Sequence, residues 1–176
     1  MNYKIYGPLL VLLAIGCSTS SQKKGFYQRE KQIISCKPCK ELNQSSYKKD
    51  LLPHQMHVIS YLYETPDVHG ALIYHQMGSG KTLTALAFSE LYQEKSILII
   101  SYRFLEQHWE DEIMEYGVKN PKRYKFLPFN QIRNKLRDKD LSNTIVIIDE
   151  IHKFVEMIQT SKTITQTKQF GIIFEK

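Results

Sequence analysis

Apolar residues fall into two kinds of run along this chain. The first kind is short and nearly continuous: Ala71-Leu-Ile-Tyr74, Ser96-Ile-Leu-Ile-Ile-Ser101, Tyr124-Lys-Phe-Leu127 and Thr144-Ile-Val-Ile-Ile148. β-Branched residues dominate 145–148, with no polar alternation, which predicts a strand buried on both faces of a parallel sheet. The second kind recurs at helical spacing. Leu52, Met56, Ile59, Leu62 and Tyr63 predict a helix over 50–64, with Asp50 as its N-cap. Leu83, Leu86, Ala87 and Leu91 predict a helix from Lys81 to about Tyr92, with those side chains in the core. Further helices are predicted over Phe104–Tyr116, with Trp109 as a packing residue, and over Asn130–Lys139, whose alternating charges suit a solvated face. Thr65-Pro-Asp-Val-His-Gly70 reads as a turn. Strands alternating with helices give an α/β fold: a doubly wound parallel sheet flanked by helices.

Two segments lie outside this alternation. Residues 18–49 form a polar, basic linker with little periodicity, and 156–176 form a divergent tail that ends in the short apolar Gly171-Ile-Ile-Phe174. The chain carries a formal net charge of +6. Residues 1–50 hold nine Lys/Arg against three Asp/Glu, whereas 51–176 hold fifteen of each. The folded part is therefore neutral, and its charge alone does not argue for a nucleic-acid partner. Cys36-Lys-Pro-Cys39 has no second Cys pair and no nearby histidine to complete a zinc site, so it reads as a dithiol or disulfide without catalytic consequence.

The chemistry-bearing stretch is His75-Gln-Met-Gly-Ser-Gly-Lys-Thr82, placed between a predicted strand and a predicted helix. That is the context a phosphate-binding loop requires. Gly78 and Gly80 leave room for backbone N–H groups to turn inward as a cradle, and the helix N-terminus adds its positive dipole end. Lys81 can reach the β and γ phosphates, and the Thr82 hydroxyl can ligate Mg²⁺. His75 stands where the general pattern has its first glycine. Downstream, Asp149 and Glu150 end the aliphatic run 144–148. Acids at the C-terminal end of such a strand sit where ligands bind in open α/β sheets. Asp149 can hold Mg²⁺ through its water shell, and Glu150 can orient and deprotonate an attacking water.

Gly78-Ser-Gly-Lys-Thr82 followed by Ile147-Ile-Asp-Glu-Ile-His152 resembles motifs I and II of superfamily 2 helicases and the related Swi/Snf-type DNA translocases. Leu51-Leu-Pro-His-Gln55 resembles that family's glutamine motif. Ser96–Ser101 with Phe104-Leu-Glu-Gln-His-Trp109 and Glu112-Ile113 resembles motif Ia and its following helix. The resemblance covers roughly residues 50–155. It implies a RecA-like P-loop ATPase domain over that range, a single and incomplete helicase domain. It also implies ATP and Mg²⁺ as cofactors, with Met77, Gly78, Ser79, Gly80, Lys81 and Thr82 around the phosphates and Gln55 reading adenine. Lys81, Asp149 and Glu150 would be catalytic, and Thr82 and Asp149 would hold the metal. His152 would couple the two activities, and Arg103 would touch the backbone of a nucleic acid, by resemblance DNA. In the family a second RecA-like domain supplies arginines to the γ phosphate. It does not occur in these 176 residues, so the chain alone is expected to bind ATP without being a competent helicase.

The N-terminus points elsewhere. Lys4, the apolar run Ile5–Gly16 and Ala14-Ile-Gly-Cys17 resemble a bacterial lipoprotein signal, with Cys17 as the acylated residue. On that reading 1–17 is a signal segment and the protein is membrane-attached, which conflicts with a cytoplasmic, ATP-fed motor. The alternative function is thus a membrane-attached lipoprotein carrying a non-catalytic remnant of a helicase ATPase domain.

Overall fold

The aliphatic runs Ser96–Ser101 and Thr144–Ile148 become strands buried on both faces, and the other elements are arranged around them. The computed structural model describes residues 9–15, 42, 47–65, 68–137 and 139–160. In chain order the elements are β1 (Leu9–Ile15), α1 (Pro53–Glu64), β2 (Gly70–His75), α2 (Lys81–Glu90), β3 (Ser96–Ser101), α3 (Glu106–Tyr116), β4 (Tyr124–Pro128), α4 (Ile132–Leu136), β5 (Thr144–Ile148) and α5 (Ile151–Thr160). Five strands form one sheet in the order β2-β1-β5-β3-β4, with parallel pairing throughout.

Alternation along β3 and β5 divides the core in two. Ile97, Ile99, Ile145 and Ile147 face one side, where Ile59 and Leu62 of α1, Leu86 and Phe88 of α2, and Trp109, Ile113 and Tyr116 of α3 cover them. Leu98, Ile100, Val146 and Ile148 face the other, against Ile132 and Leu136 of α4, Phe129, Leu141 and Ile151. Apolar side chains on both faces are what made these strands read as unbroken hydrophobic runs. The doubly wound α/β class is as expected.

Local chemistry sets the ends of the helices. Asp50 does not cap α1; the cap position is Leu52, Pro53 opens the first turn, and the Gln55 side chain accepts the Leu52 N–H at 2.8 Å. Proline suits that position because its missing N–H would have no partner there. α3 stops at Gly117, whose φ of 79° is left-handed and lets its N–H reach the Ile113 carbonyl.

The N-terminal run has a place that the sequence reading did not give it. Leu9–Ile15 is the second strand of the sheet, inside its edge, paired with β2 from Leu10↔Gly70 to Ile15↔His75 and with β5 from Leu9↔Ile145 to Leu12↔Ile148. The sheet therefore draws on a segment outside the expected 50–155 range. Here the run is an internal strand, and the lipoprotein, signal and membrane reading finds no support. The reason is physical: seven apolar residues of extended backbone satisfy the middle of a parallel sheet as well as they satisfy a signal core. Among the described residues, no helix is long and apolar enough to cross a membrane. Cys17, Cys36 and Cys39 lie outside the described residues.

Candidate nucleotide-binding site

β2 and β5 run parallel with β1 between them, so both deliver their C-terminal ends to the same edge of the sheet. Leu12 pairs with Leu72 on one side and Ile148 on the other. The chain after β5 therefore leaves the sheet about level with Ile73, while β2 continues to His75. Two strand spacings, about 10 Å, separate the strand that feeds the glycine loop from the strand that feeds the acids.

The loop lies between β2 and α2. Gly78 and Gly80 both have left-handed backbone, with φ of 75° and 76°. An added Cβ at Gly78 would meet nothing, so that turn lies open. At Gly80 it would collide with the Gln55 amide. Glycine at position 80 thus allows both the reversal into α2 and the close approach of α1. Thr84 then accepts the helical pattern, its N–H and hydroxyl both donating to the Gly80 carbonyl at 2.9 and 3.0 Å. Lys81 folds its ammonium over the loop entrance and donates to the carbonyls of His75 and Gln76 at 3.2 and 3.1 Å.

α1 grips this loop from behind. Gln55 is 2 % exposed; its Nε2 donates to the carbonyls of Ser79 and Gly80 at 3.3 and 3.2 Å, while its Oε1 holds Leu52. The neighbouring His54 Nε2 lies 2.9 Å from the Ser79 carbonyl, and its ring meets that of His75 edge-on, 5.7 Å between centroids. Burial, with His54 and Lys81 nearby, pushes the His75 imidazole below its usual pKa. The sequence reading put Gln55 at an adenine edge. In the structure both ends of its amide bond backbone groups. His54 was not singled out, although it directly precedes Gln55.

At the other strand end, the Asp149 N–H continues the ladder to the Ile100 carbonyl at 3.0 Å. Its Oδ1 accepts the Glu150 N–H at 2.9 Å, and its Oδ2 accepts the Trp109 indole N–H at 3.1 Å. Burial pushes the carboxyl up, and the Trp109 bond opposes that shift. Glu150 sits at φ 54°, the one non-glycine residue with positive φ among the described residues. Its carboxylate pairs with His152 Nε2 at 3.3 Å. The structure therefore joins Glu150 to His152, and it joins Trp109 to Asp149. Trp109 is 1 % exposed, as a packing residue should be, but its N–H has a polar task that periodicity could not reveal.

Arg103 and Met77 stand apart from these contacts. Met77 is the exposed tip of the loop. Arg103 lies in a short 3₁₀ turn, Arg103–Leu105, and faces solvent 3.9 Å from Glu106. Beside it Tyr102 stacks on Phe104, a residue 76 % exposed.

The family model described as "Type III restriction enzyme, res subunit" matches residues 48–174. The early transcription factor 70 kDa subunit of Melanoplus sanguinipes entomopoxvirus is 26% identical over 139 residues, which covers 65% of this chain and 21% of that protein. The chain thus spans about a fifth of the length of that curated relative. No solved structure matches it.

Proposed function

Because the chain belongs to the family of the type III restriction enzyme res subunit, and so carries a superfamily 2 ATPase-type domain, we propose that it binds ATP with Mg²⁺ at the loop 75–82. We propose further that it serves as the nucleotide-holding first domain of a helicase or DNA translocase. The observation that carries this reading is the convergence of two features at one sheet edge. One is a left-handed Gly78/Gly80 loop opening into α2, and the other is an acid pair closing β5.

Each residue's role follows from its position. The loop N–H groups and the first turn of α2 form an anion cradle. Lys81, already held at the loop entrance, exchanges its carbonyl partners for phosphate oxygens. The metal donors proposed are the Thr82 hydroxyl and the Asp149 carboxylate. Both are oxygen ligands suited to a hard divalent cation, and a cation beside the buried Asp149 relieves the cost of its charge. When bound, Mg²⁺ supplies neutralisation of charge on the β and γ phosphates. Glu150 takes the proton of the attacking water, with His152 steering its carboxylate. Gln55 and His54 hold the loop's shape from α1.

A nucleic-acid partner, by family likeness DNA, suits the exposed Arg103 beside the stacked, solvent-facing Phe104. That pairing of a cation with an aromatic face serves a phosphate–base backbone. Turnover in this reading needs a second RecA-like domain, in the same polypeptide or in another chain, to bring arginines to the γ phosphate.

The test is a titration of fluorescent ATP into the full chain with Mg²⁺, beside Lys81→Ala and Asp149→Ala. Micromolar binding weakened tenfold or more by each substitution, at least about 1.4 kcal/mol, is the expected result. A folded wild-type chain that binds no nucleotide would overturn the proposal.

A further inference from the structure

Trp109 lies on the second turn of α3, fully buried among Ile113, Tyr116 and the inner face of β3 and β5. A buried tryptophan needs a partner for its N–H, because leaving that donor unmatched carries a desolvation penalty. The partner here is a carboxylate oxygen, Asp149 Oδ2, at 3.1 Å, and the two residues are forty positions apart in sequence. The other oxygen, Oδ1, accepts the Glu150 N–H at 2.9 Å. Two donors, one on each oxygen, restrain the carboxyl group against rotation about its Cβ–Cγ bond. Each oxygen keeps a second lone-pair direction for another partner.

We propose that Trp109 is the positioning residue for Asp149: its indole N–H fixes the carboxylate in the orientation in which it takes Mg²⁺. This deepens the functional reading above and rests on it. The indole does not touch nucleotide or metal in this assignment. It acts by holding Oδ2 in place, so that metal binding does not have to order a rotating side chain. Partners of this kind commonly contribute a tenfold to hundredfold effect on metal affinity. The bond also ties α3 to the acids. α3 begins directly after the Arg103–Leu105 turn, so the exposed Arg103/Phe104 tip adjoins the helix whose Trp109 bonds the Asp149 carboxylate.

The protein contains one tryptophan, which allows a clean substitution. Replacing it biosynthetically with 3-benzothienylalanine keeps the bicyclic ring and removes only the N–H. Trp109→Phe serves as a second, genetically encoded variant. Fluorescent ATP is titrated into each full chain in EDTA and again with Mg²⁺, and circular dichroism reports the fold. The expected result is affinity in EDTA within about twofold of wild type and a loss of about tenfold in the Mg²⁺-dependent gain. In the unsubstituted chain, the single indole N–H resonance should shift and exchange faster with water in Asp149→Ala. An unchanged Mg²⁺ gain in a folded variant overturns the inference. So does an equal loss with and without Mg²⁺, which would mean that the ring only packs. An indole resonance indifferent to Asp149→Ala overturns it as well. A wild-type chain that binds no nucleotide overturns the functional reading and this inference together, and the unsubstituted control tells that case from failure of Trp109 alone.

Discussion

Gln55 and Gly80 interlock: the Gln55 amide donates to the Gly80 carbonyl at 3.2 Å and occupies the space that a side chain at position 80 would need. Two predictions come from this contact. Gly80→Ala should lose about 2 kcal/mol or more, from the left-handed backbone at φ 76° and from the collision with the amide. Gln55→Ala should lose about 2 kcal/mol through its three missing bonds. The double substitution should cost less than the sum, because alanine at 55 vacates the contested space. Chemical denaturation of the four proteins measures this, and simple additivity would contradict the interlock.

The same Gln55→Ala protein separates two roles for this glutamine. If it acts by gripping the loop, ATP and GTP affinities should fall together, by about tenfold, as a disordered cradle binds any triphosphate less well. If it reads the adenine edge, ATP affinity should fall alone and the preference over GTP should vanish. Parallel titrations with both nucleotides decide between them.

Arg123 and Glu90 form a buried ion pair, with 6 % and 0 % side-chain exposure, where the start of β4 meets the end of α2. Arg123 also donates to the carbonyls of Ser89, Tyr92 and Lys95. Glu90 also accepts from the hydroxyls of Tyr47 and Tyr124 and from the Lys119 N–H. Removing one partner leaves the other charge buried, so Arg123→Met should cost about 3–5 kcal/mol. Burial alone would push the Glu90 carboxyl up, but Arg123 and the neighbouring donors outweigh it and hold the group below the ordinary carboxylate range. A carboxyl with a depressed folded-state pKa adds stability above its unfolded pKa and loses it as pH falls through the folded value. The gap between wild type and Arg123→Met should therefore be full near pH 7 and narrow below about pH 4. Denaturation midpoints at the two pH values test this.

How much of this could be read from residues alone depended on how local each signal was. β3 and β5 were legible because burial on both faces writes itself as an unbroken aliphatic run. The loop 75–82 was legible because glycine at 78 and 80 has few other uses between a strand and a helix. The partners of Glu90 were not legible, since Tyr47, Lys119, Arg123 and Tyr124 come together only through the sheet. The Trp109–Asp149 bond escaped for the same reason: hydrophobic spacing reports that a ring is buried and says nothing of where its N–H points. β1 was not legible as a strand because strand core and signal core share one composition, and pairing partners 60 and 136 residues away are invisible in a local window.

Glu150 carries its functional reading at a cost in backbone strain. With φ at 54° it occupies a region that costs a non-glycine residue about 1 kcal/mol or somewhat more. Glu150→Gly should remove that strain and stabilise the fold by up to about 1 kcal/mol, less the greater chain entropy of glycine when unfolded. Nucleotide affinity should stay within about twofold, because the residue's assigned task concerns the attacking water rather than binding. Thermal melts and nucleotide titration of Glu150→Gly and Glu150→Ala test this. Alanine keeps the strain, so a stabilising effect of both variants alike would show that positive φ is not its source.

β1 lies between the strand that feeds the loop and the strand that feeds the acids. Leu9–Ile15 pairs on both sides, and without it β2 and β5 lose their shared partner and the loop loses its fixed distance from the acids. Leu12→Pro removes a ladder N–H and forces a ring into a strand paired on both sides, a change worth about 3 kcal/mol or more. Deleting residues 1–17 removes the strand outright. Both should abolish a cooperative unfolding transition, or lower its midpoint sharply, and both should weaken ATP binding with it. A detachable leader predicts the reverse: the truncated chain would melt and bind as the full chain does. Circular dichroism melts of the full chain, Leu12→Pro and the truncation therefore separate a strand from a signal. Proline is the informative variant, because it leaves length and apolar character intact and disturbs only the hydrogen-bonded ladder.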